Sequence, residues 1–117
     1  MNIFNIPILK PSTIFRQNNL PNYHQLWQQS RHDKKFELPE EIKLILQAHT
    51  EKIKLLNRNL DRYSLKRIMN LGINLSVLCD EAGVEYWLIT QRFHRGQDIN
   101  NGDINKFKVV ISKYLGE

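Results

Sequence analysis

Cysteine occurs once among the 117 residues, at Cys79, so the chain holds no internal disulfide. Its apolar neighbours predict a reduced, buried thiol rather than a reactive one. Proline occurs four times, and Pro7, Pro11 and Pro21 all fall near the start, where they interrupt any helix. Long apolar runs are missing: no segment is apolar enough to cross a membrane. The opening M-N-I-F-N-I-P-I-L-K lacks the basic start and the apolar stretch of a signal peptide, so a cytoplasmic location is expected. Phosphate-binding glycine loops, a serine elbow and an H-E-x-x-H zinc helix are lacking too, and enzyme chemistry is not expected. His24, His32, His49 and His94 have neither short ligand spacing nor cysteine partners, so neither metal nor cofactor is expected. The net charge of +5 is a mild pointer to an anionic partner.

What the chain does have is concentrated between Asn74 and Gly96. Asn74 is a good N-cap, and Leu75, Leu78, Cys79 and Ala82 come after it at three- and four-residue spacing. Gly83 supplies the left-handed residue that ends this first short helix. Val84 restarts the apolar pattern, which Leu88, Ile89 and Phe93 continue until Gly96. Two helices of about two turns each, joined at one glycine, read as a helix-turn-helix.

These residues resemble the lambda-repressor and Cro type of helix-turn-helix family. The small residue of the first helix is Cys79, the turn glycine is Gly83, the apolar residue after it is Val84, and Ile89 and Phe93 hold the next apolar positions. The resemblance runs from about Asp61 to Leu115. It departs from the pattern at Cys79, where alanine is usual, and at Glu85 and Trp87, where small hydroxyl residues are usual. It implies a four-helix DNA-binding unit whose second motif helix lies in the major groove of double-stranded DNA.

Around that unit the expected organisation is all-α. Residues 1–37 read as an extended N-terminal arm with one short helix over 22–31, packed on this domain or on a second copy. Residues 38–60 read as an amphipathic helix, with residues 61–117 as the helix-turn-helix unit. Ile42, Leu46, His49, Ile53, Leu56, Leu60 and Tyr63 alternate by fours and threes, a heptad seam. Either one long dimer-forming helix or two helices broken near 57–59 accounts for it, since N-R-N-L-D offers a stop and a new cap. Leu65, Ile68, Met69 and Leu71 then shift the apolar face, and Gly72 ends that helix. After the 97–103 loop, Asp103 is read as the cap of a last helix striped by Ile104, Phe107, Val110, Ile111, Tyr114 and Leu115.

Under the resemblance, the outer face of the second motif helix carries Glu85, Tyr86, Trp87, Thr90, Gln91 and His94. Gln91 suits a two-pronged contact with adenine, Thr90 a thymine methyl and Glu85 a cytosine amine, while Tyr86 reaches a phosphate or sugar. Ser76, Arg92 and Arg95 are the phosphate donors, with Lys66 and Arg67 adding longer-range attraction. Each has a plainer alternative. Trp87 can cover the edge of the core, Glu85 can complement a helix start, and Arg92 and Arg95 can be a solvated face. His49 reads as a polar core or dimer residue. The expected partners are double-stranded DNA and a second copy of the chain, as in a small dimeric transcriptional regulator of phage or plasmid type. The alternatives are an accessory component of a DNA-processing complex that docks onto a larger partner through its N-terminal half, and a protein adaptor in which Glu85 and Trp87 turn the recognition surface toward protein.

Overall fold

Local signals set most element boundaries in the computed structural model, which describes residues 2–116. The fold is all-α: a 3-10 turn at Ile3–Asn5, then α1 (Pro11–Gln17), α2 (Tyr23–His32), α3 (Glu40–Arg58), α4 (Arg62–Leu71), α5 (Leu75–Ala82), α6 (Tyr86–His94) and α7 (Asn101–Leu115). Among the described residues there is no strand element, and no helix is long and apolar enough to cross a membrane.

The N-terminal segment is not an extended arm. Pro11 starts α1 instead of breaking a helix, because its fixed φ and missing N–H suit the first helical position. Ile3, Ile8, Ile14 and Phe15 are fully buried, each stabilising the fold by about 1.5–3 kcal/mol. Between these helical pieces Leu9 bridges Ile73 in antiparallel fashion. Lys10 N–H donates to the Gly72 carbonyl and Asn74 N–H to the Ile8 carbonyl, both at 2.7 Å. The segment is thus stitched to its own chain at the joint between α4 and α5.

The heptad seam is broken, and its partner is internal. α3 stops at Arg58, and α4 starts afresh on a capping box. There Ser64 N–H donates to Asp61 Oδ1 at 2.8 Å, and Asp61 N–H donates to Ser64 Oγ at 2.7 Å. Tyr63 falls beyond the break and is 67% exposed. Leu46, His49, Ile53 and Leu60 are buried, with Ile42 and Leu56 half-buried against the same core. They face α4 and α7, which both pack on α3, so this seam is not free to pair with a second copy. His49 is a buried polar core residue whose ring bonds on both sides: Nε2 to the Leu71 carbonyl, and Nδ1 to the Asn18 side-chain amide at 3.0 Å.

α7 crosses both α3 and α5 and closes the core through Ile104, Phe107, Ile111 and Leu115. It begins earlier than Asp103 leads one to expect. Asn100 is the cap, accepting from Gly102 N–H at 2.7 Å, and Asp103 sits in the first turn, where its charge complements the helix dipole. Ile99, inside the loop, is buried and anchors the approach to that cap.

Candidate nucleic-acid interface

Asn74 and Gly83 position this region. Val77 N–H donates to Asn74 Oδ1 at 3.4 Å, which caps α5. At the other end Gly83 takes φ +69°, and its N–H and that of Val84 close onto the carbonyls of Asp80 and Cys79. A β-carbon at Gly83 would meet nothing within 4 Å, so only the backbone conformation calls for glycine there. Burial pushes the Cys79 thiol up to about 11, and the Asp103 carboxylate adds to this. At neutral pH the thiol is therefore protonated, a packing group and not a nucleophile.

α6 is pinned lightly. Ile89 is its single fully buried residue, Phe93 is partly buried beside it, and α6 packs chiefly on α5. At 100° per residue the direction opposite Ile89 and Phe93 falls on Trp87, Gln91 and Arg95, an i, i+4, i+8 ridge about 12 Å long. All three are exposed, with His94 and Leu88 on either flank. Trp87, 53% exposed, does not cover the core edge. Leu88, placed in the apolar pattern by its spacing, is 40% exposed instead, because Ile89 and Phe93 already fill the side facing α5.

Not every expected contact residue is equally available. Ser76, Glu85 and Tyr86 are exposed and line an open hollow between α5 and α6 of about 490 Å³, shared with Asp80. Thr90 is half-buried, and its hydroxyl donates to the Trp87 carbonyl at 2.9 Å, which leaves mainly its methyl for a partner. Arg92 is also half-buried and donates to the Asp98 carbonyl at 3.0 Å. Arg62 lies at the same loop, 4.0 Å from the Asp98 carboxylate and stacked on the Tyr63 ring. Nothing in the sequence links Arg62 to this place, since the fold and not a spacing brings the start of α4 beside residue 98. Lys66 and Arg67 are exposed on α4.

Charge is graded along the motif. Asp80, Glu81 and Glu85 cluster about the turn, while Arg92, His94 and Arg95 sit at the far end of α6. Glu85 at the start of α6 and the basic residues at its end suit that helix's dipole, whereas Asp80 and Glu81 lie in the last turn of α5, where acids do not. For an anionic partner, the C-terminal end is the attractive one and the turn is the repulsive one. Among the described residues no cluster of three or more metal-ligating side chains is formed. No protein-family model, curated protein or solved structure matches the chain, so the likeness to repressor-type helix-turn-helix units rests on the residues named above.

Proposed function

We propose that the chain is a sequence-specific double-stranded-DNA-binding protein, a small transcriptional regulator that presents α6 to the major groove as one half of a homodimer. The observation that carries this reading is the Trp87–Gln91–Arg95 ridge: a short helix, held to the core by one buried residue, turns its polar and aromatic side outward after a capped helix and a glycine turn. A helix with this exposure fits a groove about 12 Å wide. Gln91, at the centre of the ridge, is the base reader. Arg95, with its guanidinium outside the core, is the phosphate donor, while Arg92 chiefly organises the 96–100 loop. A single reading helix contacts few base pairs, so an inverted repeat bound by two copies supplies the rest of the specificity.

A specific observation favours a second reading. Tyr86, Trp87 and Leu88 are adjacent, exposed and bordered by Glu85 and Asp80, which suits a protein surface better than a phosphate backbone. In that reading α6 is the face of a protein adaptor.

Selection of bound duplexes from a random DNA pool, at low and at raised salt, separates the two. An enriched inverted repeat with half-sites about one helical turn apart supports the regulator. Retention without enrichment, at either salt, sinks it and leaves the adaptor.

A further inference from the structure

α3 buries one side and leaves a second apolar strip outside. Leu44 is 58% exposed and Leu55 57%, with Ile45 and Ala48 also open to solvent. Single exposed leucines on a surface mean little, but here they share one face. Glu41, Ile45, Ala48, Lys52 and Leu55 succeed one another at alternating steps of four and three, the spacing of a helix-pairing seam, displaced by one residue from the seam that faces the core. Beside its C-terminal half runs an open groove of about 430 Å³ between α3 and α4, floored by Leu55, Leu56 and Leu71 and edged by Lys52 and Arg67.

We propose that two copies of the chain pair through this strip, α3 against α3 in antiparallel sense, with Ile45 of each copy against Ala48 of the other and its Glu40–Glu41 turn over the Lys52–Arg67 edge of the other's groove. Charge selects this occupant. Glu40 and Glu41 are exposed at the first turn of α3, and Lys52 and Arg67 are exposed toward its other end. An antiparallel two-fold brings the acids of each copy over the cations of its mate, twice in one interface, whereas a parallel pair sets like charge on like. Ala48, near the middle of the strip, has no bulk to hold the helices apart. The use of such a dimer on an inverted repeat rests on the DNA reading above. The pairing itself does not.

The test is sedimentation equilibrium of the full chain without DNA, alongside three variants whose helicity and melting are checked first. These are the double variant L44E/L55E, the acid-reversed E40K/E41K and the base-reversed K52E/R67E. The substituted positions are all exposed, so folding should survive. The wild-type chain should form a concentration-dependent dimer, and L44E/L55E should self-associate at least about tenfold more weakly. Each charge-reversed protein should pair poorly alone, and mixing the two should restore association. A wild-type monomer up to near-millimolar concentration would overturn the proposal and leave the strip to a different protein or to a small amphiphilic carboxylate. So would a dimer indifferent to L44E/L55E, or a mixture of charge-reversed chains that recovers nothing. Titration of a single half-site duplex, which a monomer can hold, runs in parallel. Half-site binding without pairing removes this inference alone, and a dimer that ignores every duplex removes the DNA reading alone.

Discussion

The α-carbon of Gly72 rests against Ile14: a β-carbon built on it would stand 2.7 Å from Ile14 Cγ1. Gly72 also takes φ +117°, a conformation that L side chains rarely adopt. Two independent constraints therefore act on one position, backbone sterics from within and packing from α1. Gly72→Ala should cost roughly 2–4 kcal/mol in urea unfolding, more than a left-handed residue alone accounts for. Ile14→Ala opens a cavity at the same contact and should cost about 2–5 kcal/mol. In the double variant the new methyl has room, so the two losses should fall short of their sum. Strict additivity would mean that the contact does not constrain Gly72.

Asp61 makes the start of α4 sensitive to acid. Backbone and side-chain hydrogen bonds from Ser64, with the Tyr63 N–H and the Arg62 charge assisting, hold its carboxyl below the ordinary value of 3.8. A carboxyl lowered by folding stabilises the protein above its unfolded value, and the contribution disappears as pH falls through the folded value. Asp61→Ala should therefore cost about 1 kcal/mol at neutral pH. Thermal melts in strongly acidic buffer should show the two proteins drawing together. A gap that persists in acid would assign the loss to something other than the carboxylate.

Asn57 is a polar residue where the core gains little from one. It is buried between α3 and α7, its amide nitrogen lies at 3.3 Å from both the Lys108 carbonyl and Ser112 Oγ, and its Oδ1 has no partner among the described residues. Long bonds on one side and a desolvated oxygen on the other nearly cancel. Asn57→Leu should fall within about 1 kcal/mol of wild type in chemical denaturation. Asn57→Asp places a charge in the same spot and should lower the melting temperature sharply. Tolerance of the aspartate would show that water reaches this site.

For the DNA reading, the side chains of α6 separate by what already holds them. Gln91→Ala should relax site preference by about 1–3 kcal/mol at one base position while leaving helicity intact. Arg95→Ala should weaken binding to all duplexes alike and reduce the salt slope by about one unit. Thr90→Ala should do less than either, because the hydroxyl is already bonded to the Trp87 carbonyl. Arg92→Ala should lower stability through the Asp98 loop as well as affinity. Competitive titrations with the selected site and scrambled duplexes read all four. If Gln91→Ala keeps the same site at the same affinity, the ridge is not the reading face.

The legible parts of this chain were those with a local cause. Asn74, Gly83, Gly72 and Asp61 act on backbone groups a few residues away, so their sequence neighbourhoods reveal the caps and turns they make. The stripe of α7 was equally plain. Three things were not. Pro11 is compatible with a break and with a first helical residue alike, and only the burial of Ile14 and Phe15 decides between them. A heptad seam looks the same whether it faces its own chain or a copy. Ile53 and Leu46 face inward because α4 and α7 fold back over them, a tertiary fact that periodicity does not encode. The same holds at α6, where the pattern placed Leu88 inside although the lightly held helix has room for only Ile89 and Phe93.

The bridge between Leu9 and Ile73 has a consequence for how this protein comes into being. About sixty residues separate the two positions, and closing so long a loop is entropically expensive until the joint between α4 and α5 exists to receive it. Synthesis delivers the N-terminal residues first, yet their resting place is made only after more than half of the chain has left the ribosome. Ile3, Ile8 and Phe15 must therefore wait in water, made well before the residues around Ile73 and settled only once those are in place.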